Sequence, residues 1–259
     1  MNMMKKTIAI ISMLLAGSLA FAQEYRTPVS AQKIHLVMHN CQISIEGHQG
    51  NELVVNTQDY EAPPKRAQGL RPLYSSGTDN SGLGLSISEE GDELTITKVG
   101  RSDANYAFKV PKNIALVVEE VNYAGDDMIF RNLSGDLEIR TTSSDVVMEG
   151  VTGPVVANSV SGNIEIVFST VNQQKPCAIT VVSGDADITL PAQTPANLKL
   201  ASVSGEVYTN FDISLKGDEE NQGLKRLGMG RPIEGTINNG GVALQVKTVS
   251  GNIFLRKAE

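Results

Sequence analysis

The chain has 259 residues, of which 41% are hydrophobic and 20% are charged, and its formal net charge is −7. This acidic balance argues against a nucleic-acid ligand, because phosphate backbones require neutralisation by lysine and arginine. A chain of this length can bury roughly 70–75% of its unfolded surface, so it can fold without disulfides.

The start of the chain has the pattern of a secretory signal peptide. Two lysines precede an apolar run over residues 7–16, and a small-residue cleavage pattern ends at Ala22. The run is too short to span a bilayer comfortably. The sequence therefore predicts a leader over residues 1–22 and a single exported domain over residues 23–259, periplasmic, on the cell surface or secreted, without stable membrane insertion. Loss of the two lysines leaves 20 basic against 29 acidic residues, a net charge of −9.

The two cysteines, Cys41 and Cys177, lie in a chain predicted to enter a compartment that permits disulfides. Each is in phase with the apolar positions of its own segment. Both are therefore interpreted as small buried thiols, which pack like hydrophobic residues. A disulfide between them stays open, because its geometry cannot be read from the sequence.

Residues 33–60 predict three short strands, with the sequences IHLVMH, CQISIEG and ELVVNTQ. The turn-rich sequence GHQGN indicates that the last two strands form a hairpin. His35 and His39 share one face of the first strand, but an extended strand separates them by roughly 13 Å. One metal ion cannot bind both, so they are interpreted as exposed strand residues.

Residues 61–82 are rich in proline, glycine, serine and charge and lack periodicity, which predicts a long loop. Strands are predicted next at residues 83–87 and 93–98, around the turn EEGDE, and at residues 107–110. A second loop excursion, charged and glycine rich, is predicted over residues 214–232.

A regular ladder of turn residues begins after Gly125. The turn residues are Gly135, Ser144, Gly153, Gly162, Gly184, Gly205, Gly240 and Gly251. Positions two and four residues after each of them are mostly apolar, as in Leu137 and Ile139. Apolar side chains also stand two positions before most of them, at Leu133, Val151, Val160, Val182, Val203 and Val249. Columns at a fixed offset are typical of stacked repeats, in which each unit buries its apolar face against its neighbours.

The spacing of the turn residues predicts an all-β, single-domain β-solenoid, a β-helix-like stack of short strands. Alternate early turns are 18 residues apart and later intervals are 22 and 21, which indicates coils with two strands each. A β-sandwich is the alternative, because regularly spaced short strands also fit that fold. The last turns are expected to form the terminal coil, capped by the charge of Lys257.

No motif of a known enzyme class stands out. The pair Gly228-x-Gly230 lacks the third glycine of a dinucleotide fingerprint and lies in a predicted loop. The serines of the turns have no histidine base nearby in the sequence, and turn chemistry explains them. The sequence assigns no catalytic, cofactor-binding or metal-ligating residue and predicts no cofactor.

The strongest functional candidates are acidic. Three positions after turn residues stand Glu138, Glu165 and Asp187, and beside turn residues stand Asp136, Asp145, Asp185 and Glu206. Stacked carboxylates could bind calcium or act as general acid and base on a polysaccharide. They also serve as turn acceptors and solvated side chains, which is the simpler interpretation. The same outward positions carry Val147, Val156, Tyr208 and Phe254, so part of this face is expected to be covered or adhesive.

The run Ser134-Gly135-Asp136-Leu137-Glu138-Ile139 and its echoes at Ser161-Gly162-Asn163-Ile164, Ser183-Gly184-Asp185 and Ser250-Gly251-Asn252-Ile253 resemble the bacterial adhesin-like toastrack family. The Val110-Pro111 element is also similar to that family. The resemblance covers roughly residues 33–256 and is strongest from Gly125. It implies a β-solenoid-like exported domain of the bacterial envelope without a known active site.

The sequence therefore predicts an exported, non-enzymatic envelope protein that acts as an adhesin or binding scaffold through its outward face and its two loops. Its expected partner is an envelope or surface component, either protein or glycan, and the sequence does not indicate its oligomeric state. One alternative is an accessory partner in envelope-stress sensing, a role that the resemblance also implies. The second alternative is a polysaccharide-active enzyme that uses Glu138, Glu165 or Asp187.

Overall fold

The computed structural model describes residues 23–258, apart from residues 58–59, 68, 71–72, 74, 76, 102, 122–126 and 216–231. The predicted leader over residues 1–22 lies outside the described residues. Within the described part no helix has the length and apolar character needed to cross a membrane. The described residues form strands and one short 3-10 helix, Lys65–Ala67.

The strands are β1 (Gln23–Pro28), β2 (Lys33–Met38), β3 (Ile43–His48), β4 (Glu52–Thr57), β5 (Leu85–Glu90), β6 (Glu93–Lys98), β7 (Tyr106–Pro111), β8 (Ala115–Glu120), β9 (Met128–Arg131), β10 (Leu137–Thr141), β11 (Val146–Val151), β12 (Val155–Ser161), β13 (Ile164–Phe168), β14 (Cys177–Ser183), β15 (Ala186–Leu190), β16 (Ala196–Ser204), β17 (Val207–Thr209), β18 (Ser214–Leu215), β19 (Ile233–Ile237), β20 (Val242–Ser250) and β21 (Ile253–Lys257).

The strands build two facing sheets, and the chain passes from one to the other in every coil. The first sheet has the order β1-β4-β7-β3-β9-β11-β13-β15-β21-β17, and the second has the order β18-β19-β16-β20-β14-β12-β10-β8-β2-β6-β5. Successive coils pair in parallel, with Leu137 opposite Val155 and Val146 opposite Ile164. This pairing confirms the solenoid, because a sandwich of consecutive hairpins would pair its neighbours antiparallel.

The core lies between the two sheets and contains the predicted inward columns. Leu137, Val155 and Ile164, two positions after turn residues, are at most 2% exposed. Ile139 and Ile166, four positions after turn residues, are fully buried. The alternation of side chains along each strand puts these residues on the inner face, where apolar burial supplies the main stabilisation of the fold.

The predicted column two positions before the turn residues is correct only in part. Leu133 and Val151 are buried. The other members end strands of the second sheet and are 38–52% exposed, namely Val160, Val182, Val203 and Val249. They point outward because the residue before each of them is already buried on the inner face of the same strand.

The turns stack too closely to accept side chains at some of their glycines. A Cβ atom at Gly153 would lie 1.8 Å from the carbonyl oxygen of Gly135, and one at Gly251 would lie 2.0 Å from that of Gly184. Neither backbone can move away without breaking the ladder on both sides. The glycines therefore set the approach of one coil to the next, as the regular spacing predicts.

A buried carboxylate holds the corner between β10 and β11. Glu120, only 8% exposed, accepts hydrogen bonds from the backbone N–H groups of Thr142, Ser143 and Ser144 at 2.6, 2.9 and 3.3 Å. The Thr141 hydroxyl donates to the same carboxylate. Burial alone would raise the pKa of Glu120, but these hydrogen bonds outweigh it and hold the pKa below its usual value.

The spatial order of the coils differs from the chain order at the C-terminal end. Strands β20 and β21 lie between the coil of β14 and β15 and the coil of β16 and β17, so that Leu244 faces both Cys177 and Leu198. The expectation that the last coil ends the stack is therefore wrong. Lys257 lies opposite Leu190 within the stack, and the antiparallel strands β19 and β18 cover this end of the second sheet.

The N-terminal end has a matching insertion. Strands β2 and β3 lie between the coil of β6 and β7 and the coil of β8 and β9. The predicted hairpin of β3 and β4 is wrong, because β7 separates them, with Phe108 opposite Ile45 on one side and Val55 on the other. The β5–β6 hairpin is confirmed. Both insertions move a coil near a chain end away from an open sheet edge.

The described part of residues 61–82 contains no strand and is fastened to the solenoid by Asp79. The carboxylate of Asp79 accepts hydrogen bonds from the backbone N–H groups of Ser81 and Gly84, both at 3.0 Å, and from the Tyr60 hydroxyl at 3.0 Å. Burial, the hydrogen bond and the negative charge of Asp79 raise the pKa of Tyr60 to about 12. In the predicted second excursion, Ser214 and Leu215 form β18.

Cys41 and Cys177 are buried thiols, 6% and 1% exposed, and they do not form a disulfide. Burial raises the pKa of the Cys177 thiol, although the backbone N–H of Val155 donates a hydrogen bond to its sulfur at 3.5 Å. A thiol kept protonated in an apolar core reacts slowly. The interpretation of both residues as core packing is confirmed.

Candidate functional site

One row of side chains crosses the outer face of the first sheet at a single register. Its members lie side by side on neighbouring strands, and we call them the outer row: Asn56, Ala107, Ser44, Ile129, Val147, Glu165, Asp187, Phe254 and Tyr208. Each of them alternates along its strand with residues that face the core, so each points outward. The outer row contains two of the acidic candidates and both aromatic residues that the sequence singled out.

The end of the outer row is an aromatic platform. The rings of Tyr208 and Phe254 stack with centroids 5.3 Å apart and an angle of 12° between their planes, and Tyr208 is 52% exposed. The guanidinium of Arg256 lies 5.2 Å from the centre of the Phe254 ring. These three residues define the aromatic platform, of which Tyr208 is the exposed ring.

An ion pair fixes the arginine of the aromatic platform. Arg256 Nε donates to Asp187 Oδ1 and Oδ2 at 2.8 and 3.0 Å, and its Nη2 donates to Oδ2 at 2.8 Å. Hydrogen bonding to Asp187 and its negative charge raise the pKa of the Arg256 guanidinium. A planar, doubly hydrogen-bonded pair has less freedom than a single contact, so it holds the arginine beside the ring.

The three acidic residues proposed as catalytic candidates do not converge on one site. Glu165 and Asp187 are register neighbours on β13 and β15 of the first sheet. Glu138 lies on β10 of the second sheet, opposite Val117 and Val156. The error arises because the turn at Gly135 leads into the second sheet, whereas the turns at Gly162 and Gly184 lead into the first. Residues at the same offset from a turn therefore do not always lie on the same sheet.

The outer face of the second sheet around Glu138 carries an ion-pair lattice. Its members contact one another across neighbouring strands and are Lys33, His35, Glu93, Glu119, Arg140 and Glu138. Lys33 Nζ lies 2.5 Å from Glu93, and His35 Nδ1 lies 3.2 Å from the same carboxylate. Arg140 pairs with both Glu119 and Glu138. The lattice therefore joins the cations Lys33 and Arg140 to the carboxylates of Glu93, Glu119 and Glu138.

The acidic residues beside the turns form a ladder of side-chain acceptors. Asp145 Oδ1 accepts the backbone N–H of Asn163 at 2.6 Å, and Asn163 Oδ1 accepts that of Asp185 at 2.9 Å. Asp185 Oδ1 then accepts the N–H of Asn252 at 2.6 Å. The structure thus uses Asp145 and Asp185 to join successive turns. Glu206 donates its N–H to the Asn252 side chain at 3.1 Å, and Asp136 pairs with Lys175.

The remaining sequence candidates lie apart from the outer row. His39 Nε2 lies 3.0 Å from the carbonyl oxygen of Lys98, and His48 Nε2 lies 2.8 Å from that of Glu52. Among the residues that the structure describes, no group of three or more His, Cys, Asp or Glu side chains could hold a metal ion. The pair Gly228 and Gly230 lies outside the described residues.

Sequence reasoning found the two rings of the aromatic platform but missed Arg256. A signal for it was present, because Arg256 stands two positions after Phe254 and must share its face on a strand. Its partner Asp187 is 69 residues away in sequence. Only the insertion of β21 beside β15 brings the two together.

The parallel pairing of successive coils, the stacked glycine turns and the repeated inward columns define this molecule as a β-solenoid of short coils. The family model described as Toastrack DUF4097 matches residues 121–256, which is just over half of the chain. The chain therefore belongs to the toastrack family. None of the curated proteins compared with the chain matches it.

Several solved bacterial structures are similar to the chain at low sequence identity. A “putative cell adhesion protein” from Clostridium sporogenes is 12% identical, with a TM-score of 0.46 and coverage of 92% of this chain and 100% of that one. A “putative adhesin” from Bacteroides fragilis is 10% identical, with a TM-score of 0.42 and coverage of 92% and 97%. A “putative lipid binding protein” from Parabacteroides distasonis is 12% identical, with a TM-score of 0.34 and the same coverage.

Proposed function

We propose that this toastrack protein is an exported, non-enzymatic binding scaffold of the cell envelope, an adhesin that binds a glycan at the aromatic platform. The observation that carries the proposal is the stacked pair of Tyr208 and Phe254 on an open sheet face. The signal-like sequence of residues 1–22 supports export. The family membership supports an envelope role without indicating a ligand.

A sugar matches the chemistry of the aromatic platform better than a side chain of a protein partner does. The C–H face of a sugar ring is apolar and flat, so it can cover an aromatic ring, while its rim of hydroxyl groups needs polar partners. Asp187 lies next to Phe254 in the outer row but is paired with Arg256, and Glu165 follows one strand further and can accept hydrogen bonds from hydroxyls. Protein partners usually anchor in buried pockets, and the aromatic platform is an open surface.

The arrangement of the carboxylates supports a binding role over glycoside hydrolysis. Hydrolysis requires an acid and a second carboxylate on opposite sides of one scissile bond. Glu138 lies on the other sheet, and Asp187 is occupied by the guanidinium of Arg256. Glu165 then lacks a second free carboxylate in the outer row.

The proposal is tested by measuring how the purified chain, residues 23–259, binds to an array of immobilised neutral and acidic oligosaccharides. We expect binding to neutral sugars and a loss of about tenfold in affinity for Tyr208→Ala, since ring stacking contributes about 1 kcal/mol or more. Val203→Ala, also an exposed apolar truncation but on the second sheet, is the matched control and should bind normally. Absence of binding to every sugar, or equal loss in both variants, would contradict the proposal.

A further inference from the structure

A trough opens on the outer face of the first sheet at the end opposite the aromatic platform. It has a volume of about 350 Å³, and its lining includes Gln42, Ser44, Asn56, Asn105 and Ala107. These residues come from β3, β4, β7 and the segments that precede β3 and β7. We call this feature the amide trough, because three of the five residues carry side-chain amides.

The chemistry of the amide trough suits neutral hydroxyl groups. Amide side chains offer both a donor and an acceptor, as sugar hydroxyls do, and the named lining carries no charged group. Asn105 is oriented by its Oδ1, which accepts the backbone N–H of Gln42 at 3.2 Å. The exposed methyl group of Ala107 leaves room above the sheet between Ser44 and Asn56.

The amide trough and the aromatic platform lie in line on the outer row. Five inter-strand steps separate Ser44 on β3 from Phe254 on β21. At about 4.8 Å for each step the two residues are about 24 Å apart along the sheet. The outer row between them contains Ile129, Val147, Glu165 and Asp187.

We propose that the amide trough is a second subsite for the glycan bound at the aromatic platform, and that the ligand is a linear neutral polysaccharide lying along the outer row. This inference rests on the proposed function. Two weak subsites joined by one chain give a higher affinity than either subsite alone, because the second contact becomes intramolecular. Only a glycan long enough to span both subsites gains this advantage.

The charge of the outer row selects against acidic polysaccharides. Glu165 and Asp187 lie on the path between the subsites, and the only cation of the aromatic platform is already paired with Asp187. The flanking cation Arg131 is paired as well, with Glu149 at 2.7 Å. A uronate or phosphate carried along this path would meet the negative charge of Glu165.

The test is calorimetric titration of residues 23–259 with neutral β-glucan oligosaccharides, from disaccharide to octasaccharide. The expected result is an affinity gain of about tenfold or more once the glycan reaches both subsites. In Gln42→Ala and Asn56→Ala this gain should disappear, while binding of the shortest sugars stays normal. Asn158→Ala, an exposed amide on the second sheet, is the control, and unchanged melting temperatures verify that the variants fold.

The outcomes separate the two proposals. The second subsite is overturned if short sugars bind in a way that depends on Tyr208 but affinity does not rise with glycan length. It is also overturned if the rise in affinity with length survives Gln42→Ala and Asn56→Ala. Either result leaves the proposed function intact. Equal affinity for an acidic oligosaccharide of the same length would also overturn this inference. Absence of binding at any length would overturn both.

Discussion

The outer faces of the two sheets have the same backbone geometry but opposite chemical character. On the second sheet, Arg140 pairs with Glu119 and Glu138, so the charged side chains of the ion-pair lattice bind one another. On the first sheet, the ring of Tyr208 is half exposed and a trough of about 350 Å³ opens at the other end of the outer row. This difference is the basis of the proposal that the outer face of the second sheet serves stability through ion pairs and that the outer face of the first sheet serves binding.

The largest expected effect is the difference in stability loss between an inward and an outward substitution on the same strand, β13. Ile166→Asp places a charge in the fully buried core of β13. We expect the free energy of unfolding to fall by at least about 4 kcal/mol, because an unpaired buried charge has no compensating partner. Chemical denaturation of residues 23–259 measures this change.

Glu165→Gln is the matched control, since Glu165 is the preceding residue and faces outward. Its free energy of unfolding should change by less than about 0.5 kcal/mol. Similar losses in the two variants would mean that β13 does not have the inward and outward faces described above.

A second prediction concerns the corner that joins the two sheets. Glu120→Gln removes the carboxylate that binds three backbone N–H groups and should cost about 2 kcal/mol at pH 7. Because the pKa of Glu120 in the folded protein is lowered, its carboxylate stabilises the fold above the ordinary value of about 4.3. This stability is lost as the pH falls through the lowered pKa.

Denaturation of the wild type and of Glu120→Gln at pH 7 and near pH 3 measures that dependence. The difference in stability between the two proteins should be large at pH 7 and should shrink under acid conditions. A constant difference at both pH values would show that the charge of Glu120 does not hold the corner.

A smaller effect is expected where an ion pair supports the aromatic platform. Arg256→Gln keeps a polar side chain but removes the doubly hydrogen-bonded pair with Asp187 and the cation beside Phe254. We expect an affinity loss of about threefold for neutral sugars, less than for Tyr208→Ala, because the rings themselves remain. Calorimetric titration measures this loss, and unchanged affinity would show that the ion pair plays no part in binding.

The smallest effect is expected on the opposite face. Arg140→Gln breaks the exposed pairs with Glu119 and Glu138, each of which contributes at most about 1 kcal/mol. The free energy of unfolding should fall by no more than that amount in low salt, and sugar affinity should stay the same. Reduced sugar binding would mean that the second sheet also contacts the ligand.

The repeat pattern was sufficient to predict the solenoid and most of its core. The positions two and four residues after each turn carry the same kind of side chain in nearly every coil, and burial of Leu137 and Ile166 confirms them. The valines before the turns were misread because the offset from the turn was counted without following the alternation along the strand. Ser159 is buried, so the next residue, Val160, must point outward.

The order of the coils could not be predicted, and the reason is physical. Because all coils share the same inward columns, any coil can pack on any other, and the pattern does not select neighbours. The insertions of β2–β3 and β20–β21 therefore left no signal in the periodicity. The features proposed to bind a glycan depend on these insertions, since β21 brings Arg256 to Asp187, and the amide trough collects Gln42, Asn56 and Asn105 from separate segments.

Hydrogen–deuterium exchange of residues 23–259, with and without a neutral β-glucan octasaccharide, tests the central claim most directly. The account predicts slower exchange in β17 and β21 beneath the aromatic platform and in β3, β4 and β7 beneath the amide trough, with no change in β8 and β10 under the ion-pair lattice. Protection of the second sheet, or of neither sheet while the sugar remains bound, would contradict the claim that the first sheet is the binding face.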